Sequence, residues 1–171
     1  MTPAGDRNET LLRGELTVIG RIRTASNATF RCASTLGAET VQCVYKPVAG
    51  EQPLWDFPDG TLAGREVGAY LVSAALGWDI VPYTVIRPGP AGPGMVQVWV
   101  EQPAEPVGLD LVDLCPPDRI PAHYLSVLTA YDDRGDEVAL VHADHPQLRR
   151  MAIFDVIVNN ADRKGGHVLA G

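Results

Sequence analysis

Three β-rich segments in the first third of this chain, joined by very short links, restrict its fold more than any other feature. Gly14–Ile22 (GELTVIGRI) partly alternates, with Leu16 and Val18 on one face. Ala28–Ser34 and Thr40–Pro47 (TVQCVYKP) are rich in strand formers, and turns fall around Ser26-Asn27 and Leu36-Gly37. Strands connected so tightly must pair antiparallel, because a parallel pair needs a crossover of about a dozen residues or more. After a loop rich in Pro, Gly and Trp (Ala49–Gly60), Thr61–Leu76 reads as a helix. Val67, Tyr70, Leu71, Ala74 and Ala75 recur on one face, and Gly77 stands where a glycine cap belongs. A strand at Pro82–Arg87, a Pro/Gly turn and an apolar strand at Gly94–Glu101 follow.

Pro103–Pro117 lacks periodicity and carries acidic residues, which places a boundary there: residues 1–102 form one lobe and 103–171 another. In the second, Pro121–Tyr131 is expected to be a short helix, and Asp132–His142 a turn and a strand. Pro146 opens a helix whose core face is Leu148, Met151, Phe154/Asp155 and Val158, ending near Asn159-Asn160. With 171 residues, 46 % of them hydrophobic, the chain can bury one good core or two small ones sharing a cleft. The expected class is α+β.

Charge narrows the function. Fourteen basic against twenty-one acidic residues give a formal −7, which argues against a phosphate-backbone binder and, more weakly, against permanent docking on an anionic membrane. Three cysteines without a CxxC pair read as reduced thiols in a cytoplasmic protein. Met1–Leu12 has no apolar core for a signal peptide, and no apolar run approaches the ~20 residues that span a bilayer.

The segment best able to carry chemistry is Phe154–Leu169 (FDVIVNNADRKGGHVL), in which a buried helix runs into Asp-Arg, two glycines and a histidine. Phosphoryl transfer needs a carboxylate to orient the attacking hydroxyl and a metal ligand a few residues on, and Asp162 and His167 have that spacing. A helix end with a solvated charge pair has it too. Lys46 closes an apolar strand, where burial of an ammonium demands an anion, although a strand-edge surface lysine looks the same. Glu66 lies near the start of the helix, where acidic residues are also favoured by the dipole. The turn Arg23–Thr29 could cradle phosphates with Ser26, Asn27 and Thr29, or could be a plain hairpin turn. His123, His142 and His145 show no metal-ligand spacing, and Asp132, Asp133 and Asp136 match no calcium loop.

Taken in order, VYKP, GTLAGREVGAYLVSAALGWDIVPYTVI, GMVQVWVE and FDVIVNNADRKGGHVL resemble the phosphatidylinositol 3-/4-kinase-like proteins, and more narrowly a small actinobacterial branch of them. HipA-type protein kinases share a similar loop. The resemblance implies a two-lobed protein-kinase-like fold with an antiparallel sheet N-lobe and a helical C-lobe. It implies ATP and Mg2+ or Mn2+ as cofactors and transfer of a phosphoryl group to a hydroxyl. By resemblance, Lys46 is the phosphate-binding lysine and Glu66 its helix partner. Ser26-Asn27 lie in the phosphate loop, Gln97, Val98 and Trp99 on the hinge strand that binds adenine, Asp162 is the catalytic aspartate and His167 the metal ligand. The loop reads DRKGGH where lipid kinases have DRHxxN, so Lys164 replaces a histidine and His167 an asparagine. A second metal-binding aspartate is expected shortly after this loop, so the chain is expected to be truncated before it and weak or inactive. With only Arg163 and Lys164 near the acceptor loop, a protein or small-molecule hydroxyl is the expected acceptor in preference to a lipid. The alternative expectation is a nucleotide-binding pseudokinase or interaction module.

Overall fold

The computed structural model describes residues 4–23, 25, 27–52, 61–102, 109–161 and 163–169, with the side chains of 4–6 left aside. The chain is α+β and divides into two compact units, Met1–Trp99 and Val100–Gly171.

The first unit is built on a five-stranded antiparallel sheet of order β1-β2-β3-β5-β4. Its strands are β1 (Glu15–Arg21), β2 (Phe30–Leu36), β3 (Glu39–Pro47), β4 (Thr84–Gly89) and β5 (Gly92–Val98). Helix α1 (Ala4–Arg13) packs on β2, β3 and β5, and α2 (Leu62–Ala75) on β4 and β5. β3 alternates strictly: Val41, Cys43, Tyr45 and Pro47 are buried, while the residues between them are not. Val41, Cys43 and Tyr45 join Leu11, Cys32 and Val96 in the core. Lys46, on the opposite face, pairs across the sheet with buried Met95.

Helix α2 has the bounds that the 3–4 spacing predicts, and its ends are specified locally. Thr61 accepts from the Gly64 N–H at the start. At the end Gly77 adopts φ 63°, its N–H bonding Ala74 O and that of Trp78 bonding Ser73 O. This paired arrangement needs a left-handed residue at the glycine position. Gly94 is required for a different reason, since a Cβ there would stand 2.4 Å from Lys46 O and 2.7 Å from the Tyr45 ring.

Helix α1 is marked by no local sequence signal. Among its described side chains it buries Leu11 and Thr10, too few to make a helical stripe. Contacts from distant residues hold its C-terminal end: Arg87 donates to Leu11 O and Gly14 O, each at 2.6 Å, and Ser34 Oγ donates to Thr10 O at 2.6 Å. Cys32, Cys43 and Cys115 are buried free thiols. Burial pushes the Cys43 thiol up to about 12, with neighbouring Cys32 adding to the effect and Arg87 opposing it. Thiolate chemistry at physiological pH is thereby suppressed.

The second unit departs from the expected helical lobe. Its described residues form an antiparallel sheet of order β6-β8-β7 and one helix. Pro121–Tyr131 is not a helix: Tyr124–Tyr131 is strand β7, paired with β8 (Glu137–Ala143). Tyr, Leu, Val, Leu, Thr and Tyr there are strand formers, and the ladder to β8 satisfies their backbone groups. The aperiodic connector likewise contains a short strand, β6 (Val112–Cys115), whose partner is also β8. The core here is Cys115, Ala139 and Val141, with Leu109, Ile120 and Tyr124 packed against it. The turn before β8 is closed by Asp132, whose carboxylate accepts from Arg134 N and Asp136 N, and by Gly135 at φ 84°. Helix α3 (Pro146–Ile157) begins at Pro146 as expected and buries Leu148 and Phe154. No helix among the described residues is long and apolar enough to cross a membrane.

Candidate functional site

Strand alternation puts Lys46 on the face of the sheet that α2 approaches, and the second turn of α2 carries Glu66 to it. Lys46 Nζ donates to both carboxylate oxygens, at 2.9 and 3.1 Å. The two side chains are 32 % and 34 % exposed, so the pair is neither a free surface contact nor a sealed core bridge. An exposed ion pair contributes at most about 1 kcal/mol to stability. A pair kept at this depth, twenty residues apart on strand and helix, is therefore weak as glue and well placed as a positioned cation. Lysine is scarce in this chain. Of fourteen basic residues only two are lysine, Lys46 and Lys164. Both sit in the segments singled out for chemistry. Lysine presents a compact point charge on a flexible stem, unlike the planar fork of arginine.

The turn between β1 and β2 is tied both to itself and to the segment that follows β3. Ser26 lies outside the described residues. Asn27 Oδ1 accepts from Gln52 N at 2.9 Å, and Thr29 Oγ1 donates to Asn27 O at 3.1 Å. The Asn27 carboxamide oxygen is thus engaged, and what it could offer a phosphate is its NH2 group.

The residues assigned to a hinge strand are partly committed to the sheet. Val98 N–H donates to Tyr83 O and Trp99 N–H to Gln42 O, at 3.0 and 2.9 Å. Gln97 Nε2 donates to Thr84 Oγ1 at 2.9 Å. The Trp99 ring lies 4.8 Å from the Arg31 guanidinium. Two main-chain donors that an adenine edge would seek here are therefore already spent.

In the second unit Asp162 lies outside the described residues, and residues on both sides of it are held by Asp155. Asp155, in the last turn of α3, takes a two-pronged contact from Arg163, Nε to Oδ2 at 2.9 Å and Nη2 to Oδ1 at 2.6 Å. Asn160 Nδ2 adds a third bond at 3.0 Å, and its N–H bonds Asp155 O at 2.8 Å. Asn159 takes φ 54°, turning the chain back toward the helix. Burial works to raise the Asp155 pKa, but the bonds from Arg163 and Asn160 outweigh it and hold the carboxyl below its ordinary 3.8. Asp155 therefore anchors the loop on both sides of Asp162. The signal was an acidic residue on the apolar face of a helix, which must find a partner.

Breaking this anchor gives a testable result. Asp155→Ala should destabilise the protein by roughly 1–3 kcal/mol at neutral pH, by stranding Arg163 and Asn160. A depressed carboxylate pKa contributes stability that is present above the unfolded value and is lost as pH falls through the folded one. The gap between mutant and parent in urea melts should therefore narrow as the pH is lowered below 3.8. A gap that is constant with pH would show that Asp155 acts only through packing.

His167 ends a single tight turn, Gly165–His167, with its side chain exposed. Among the described residues no three His, Cys, Asp or Glu side chains gather in a way that could hold a metal ion.

An α+β protein with a strand lysine chelated by a helix glutamate, and a helix-anchored Asp-Arg loop, is the class that fold and site define. The chain is 64 % identical to Protein Rv2133c of Mycobacterium tuberculosis, over 177 aligned positions that take in all of this chain. It spans 64 % of that relative's length. No family model matches the chain, and no solved structure does.

Proposed function

We propose that this protein binds ATP with a divalent cation and belongs to a kinase-like apparatus that transfers a phosphoryl group to a protein or small-molecule hydroxyl. The observation that carries this reading is the Lys46–Glu66 contact. Kinases use a lysine on the third strand, held by a glutamate of the following helix, to neutralise nucleotide phosphates. Here the lysine is on the third strand of the sheet and the glutamate on the next α-helix. Glu66 fixes the ammonium in one place without removing it from solvent, so an incoming polyphosphate finds a charge already oriented.

Asp162 would orient the acceptor hydroxyl and take its proton. The Asp155 anchor on Arg163 and Asn160 supports that role, because a catalytic carboxylate must be held in a fixed place to act. The cation would neutralise charge on the β- and γ-phosphates, and His167 is the side chain this loop could direct to it. An imidazole nitrogen suits Mn2+ better than Mg2+, which prefers oxygen donors. The cation would arrive on the nucleotide, bridging its phosphates. With the Val98 and Trp99 N–H groups spent in the sheet, adenine would have to pair with other main-chain groups. The imidazole at 167 also favours a second reading, a nucleotide-binding module with little or no turnover.

Thermal melting tests the nucleotide claim. Millimolar ATP with Mn2+ or Mg2+ should raise the melting temperature, since a ligand of the native state alone stabilises it by mass action. No shift in a folded sample would sink the proposal. Asp162→Asn should retain the shift while abolishing any phosphoryl transfer. Loss of both would make Asp162 a structural residue.

A further inference from the structure

We infer that Glu51 is a positioning residue that holds α2 in place, and that Gly50–Gln52 joins that helix to the β1–β2 turn. The inference rests on reading Lys46–Glu66 as the phosphate-binding pair, and it concerns how that pair is kept together.

Three consecutive residues each make one connection. Gly50 O accepts from Ala28 N–H at 3.3 Å, on the β1–β2 turn. Gln52 N–H donates to Asn27 Oδ1 of the same turn. Between them, the Glu51 carboxylate accepts from Leu62 N–H and Ala63 N–H, at 2.9 and 2.7 Å. The fit on the turn side is close: a Cβ on Gly50 would stand 2.5 Å from Ala28 Cβ.

Capping alone does not account for Glu51. The start of α2 already has a local cap in Thr61, which accepts from Gly64 N–H at 3.0 Å. Glu51 instead reaches across eleven positions to Leu62 N–H, and its carboxylate uses both oxygens on the first two N–H groups of the helix. A negative charge at a helix N-terminus is favourable in itself. Here it also fixes the helix start against a segment that follows β3 directly, one turn from Lys46. Glu66 lies one turn further along α2, so a shift of the helix start moves Glu66 relative to Lys46. Occupation of the β1–β2 turn by a phosphate would pass through Asn27 and Gln52 to the same tie.

Amine labelling measures this directly, because the chain has only two lysines. A limiting acylating reagent, followed by digestion and mass spectrometry, gives the Lys46 rate relative to exposed Lys164 in the same sample. Glu66→Ala sets the ceiling. Glu51→Ala should raise the Lys46/Lys164 ratio roughly threefold, within the range that loss of a weak, part-exposed ion pair allows. Thr61→Ala, which removes the local cap but not the tie, should leave the ratio unchanged. Equal ratios in Glu51→Ala and Thr61→Ala, or no change in either, would overturn the inference. Should Glu51→Ala melt too low to label, Glu51→Gln, which keeps one acceptor oxygen and loses the charge, is judged by the same criterion. Addition of ATP with Mn2+ to the parent protein separates the two claims. Failure to protect Lys46 removes the nucleotide reading, while the Glu51 effect on the ratio stands or falls without it.

Discussion

Lys46→Met should leave a folded protein whose melting temperature no longer rises with millimolar ATP and a divalent cation, if the proposed nucleotide site is correct. Methionine retains most of the apolar stem, so packing against the sheet is largely kept, while the charge that would meet the phosphates is lost. Hydrogen bonds to charged groups contribute about 1.5–3 kcal/mol each, which corresponds to a loss of affinity of roughly tenfold or more. Unfolding in the absence of nucleotide should move little, because the pair it breaks is a third exposed on both sides and weak in stability terms. Lys164→Met is the matched control and should keep the response. A ligand-induced shift preserved in Lys46→Met would separate the Lys46–Glu66 contact from nucleotide binding altogether.

Tyr45→Ala should produce the largest loss of stability, about 3–5 kcal/mol in urea unfolding, as expected when a buried aromatic ring is removed from a core. The ring is fully buried, stacks on Phe30 with centroids 6.1 Å apart, and fills the space that Gly89 and Gly94 leave open. Its hydroxyl donates to Gly92 O at 2.7 Å and accepts from Ala91 N–H at 3.2 Å, which fixes the β4–β5 turn to β3. Tyr45→Phe removes only those bonds and should lose about 1 kcal/mol. The same single residue thus secures the strand that carries Lys46 and the strand that faces it. A Tyr45→Ala protein as stable as the parent would mean that this core is reorganised around the cavity.

Several elements were legible in the sequence because local signals specified them. β3 alternates without interruption, and α2 has a threonine at its start and a glycine at its end, although Leu71, Ala74 and Ala75 of its apolar stripe lie exposed and the residues it buries are Ala63 and Ser73. Proline at the first position of α3 marks its start. The pairing of Lys46 with Glu66 was implied only by the family resemblance, since neither residue's own pattern names the other as its partner, and the structure shows the contact. The β7 segment was not, because Leu125 and Leu128 carry helical spacing while the residue types favour a strand. The ladder to β8 decided between them. Helix α1 escaped notice because its stability does not reside in its own apolar face. Arg87 and Ser34, both far along the chain, supply the partners for its last carbonyls.

The sequence by itself determined which face of β3 bears a lysine, where α2 begins and ends, and that an Asp-Arg loop follows the last helix. Local backbone preference and side-chain period are enough for these. Only the tertiary structure decided that Asp155 clasps Arg163 and Asn160, that Glu51 seizes the start of α2, and that Asn27 spends its oxygen on Gln52. Each of these joins polar groups that are distant in sequence or hidden within an apolar pattern. Their pairing follows from the cost of leaving a part-buried donor or acceptor unmet, and that cost exists only once the chain has folded around them.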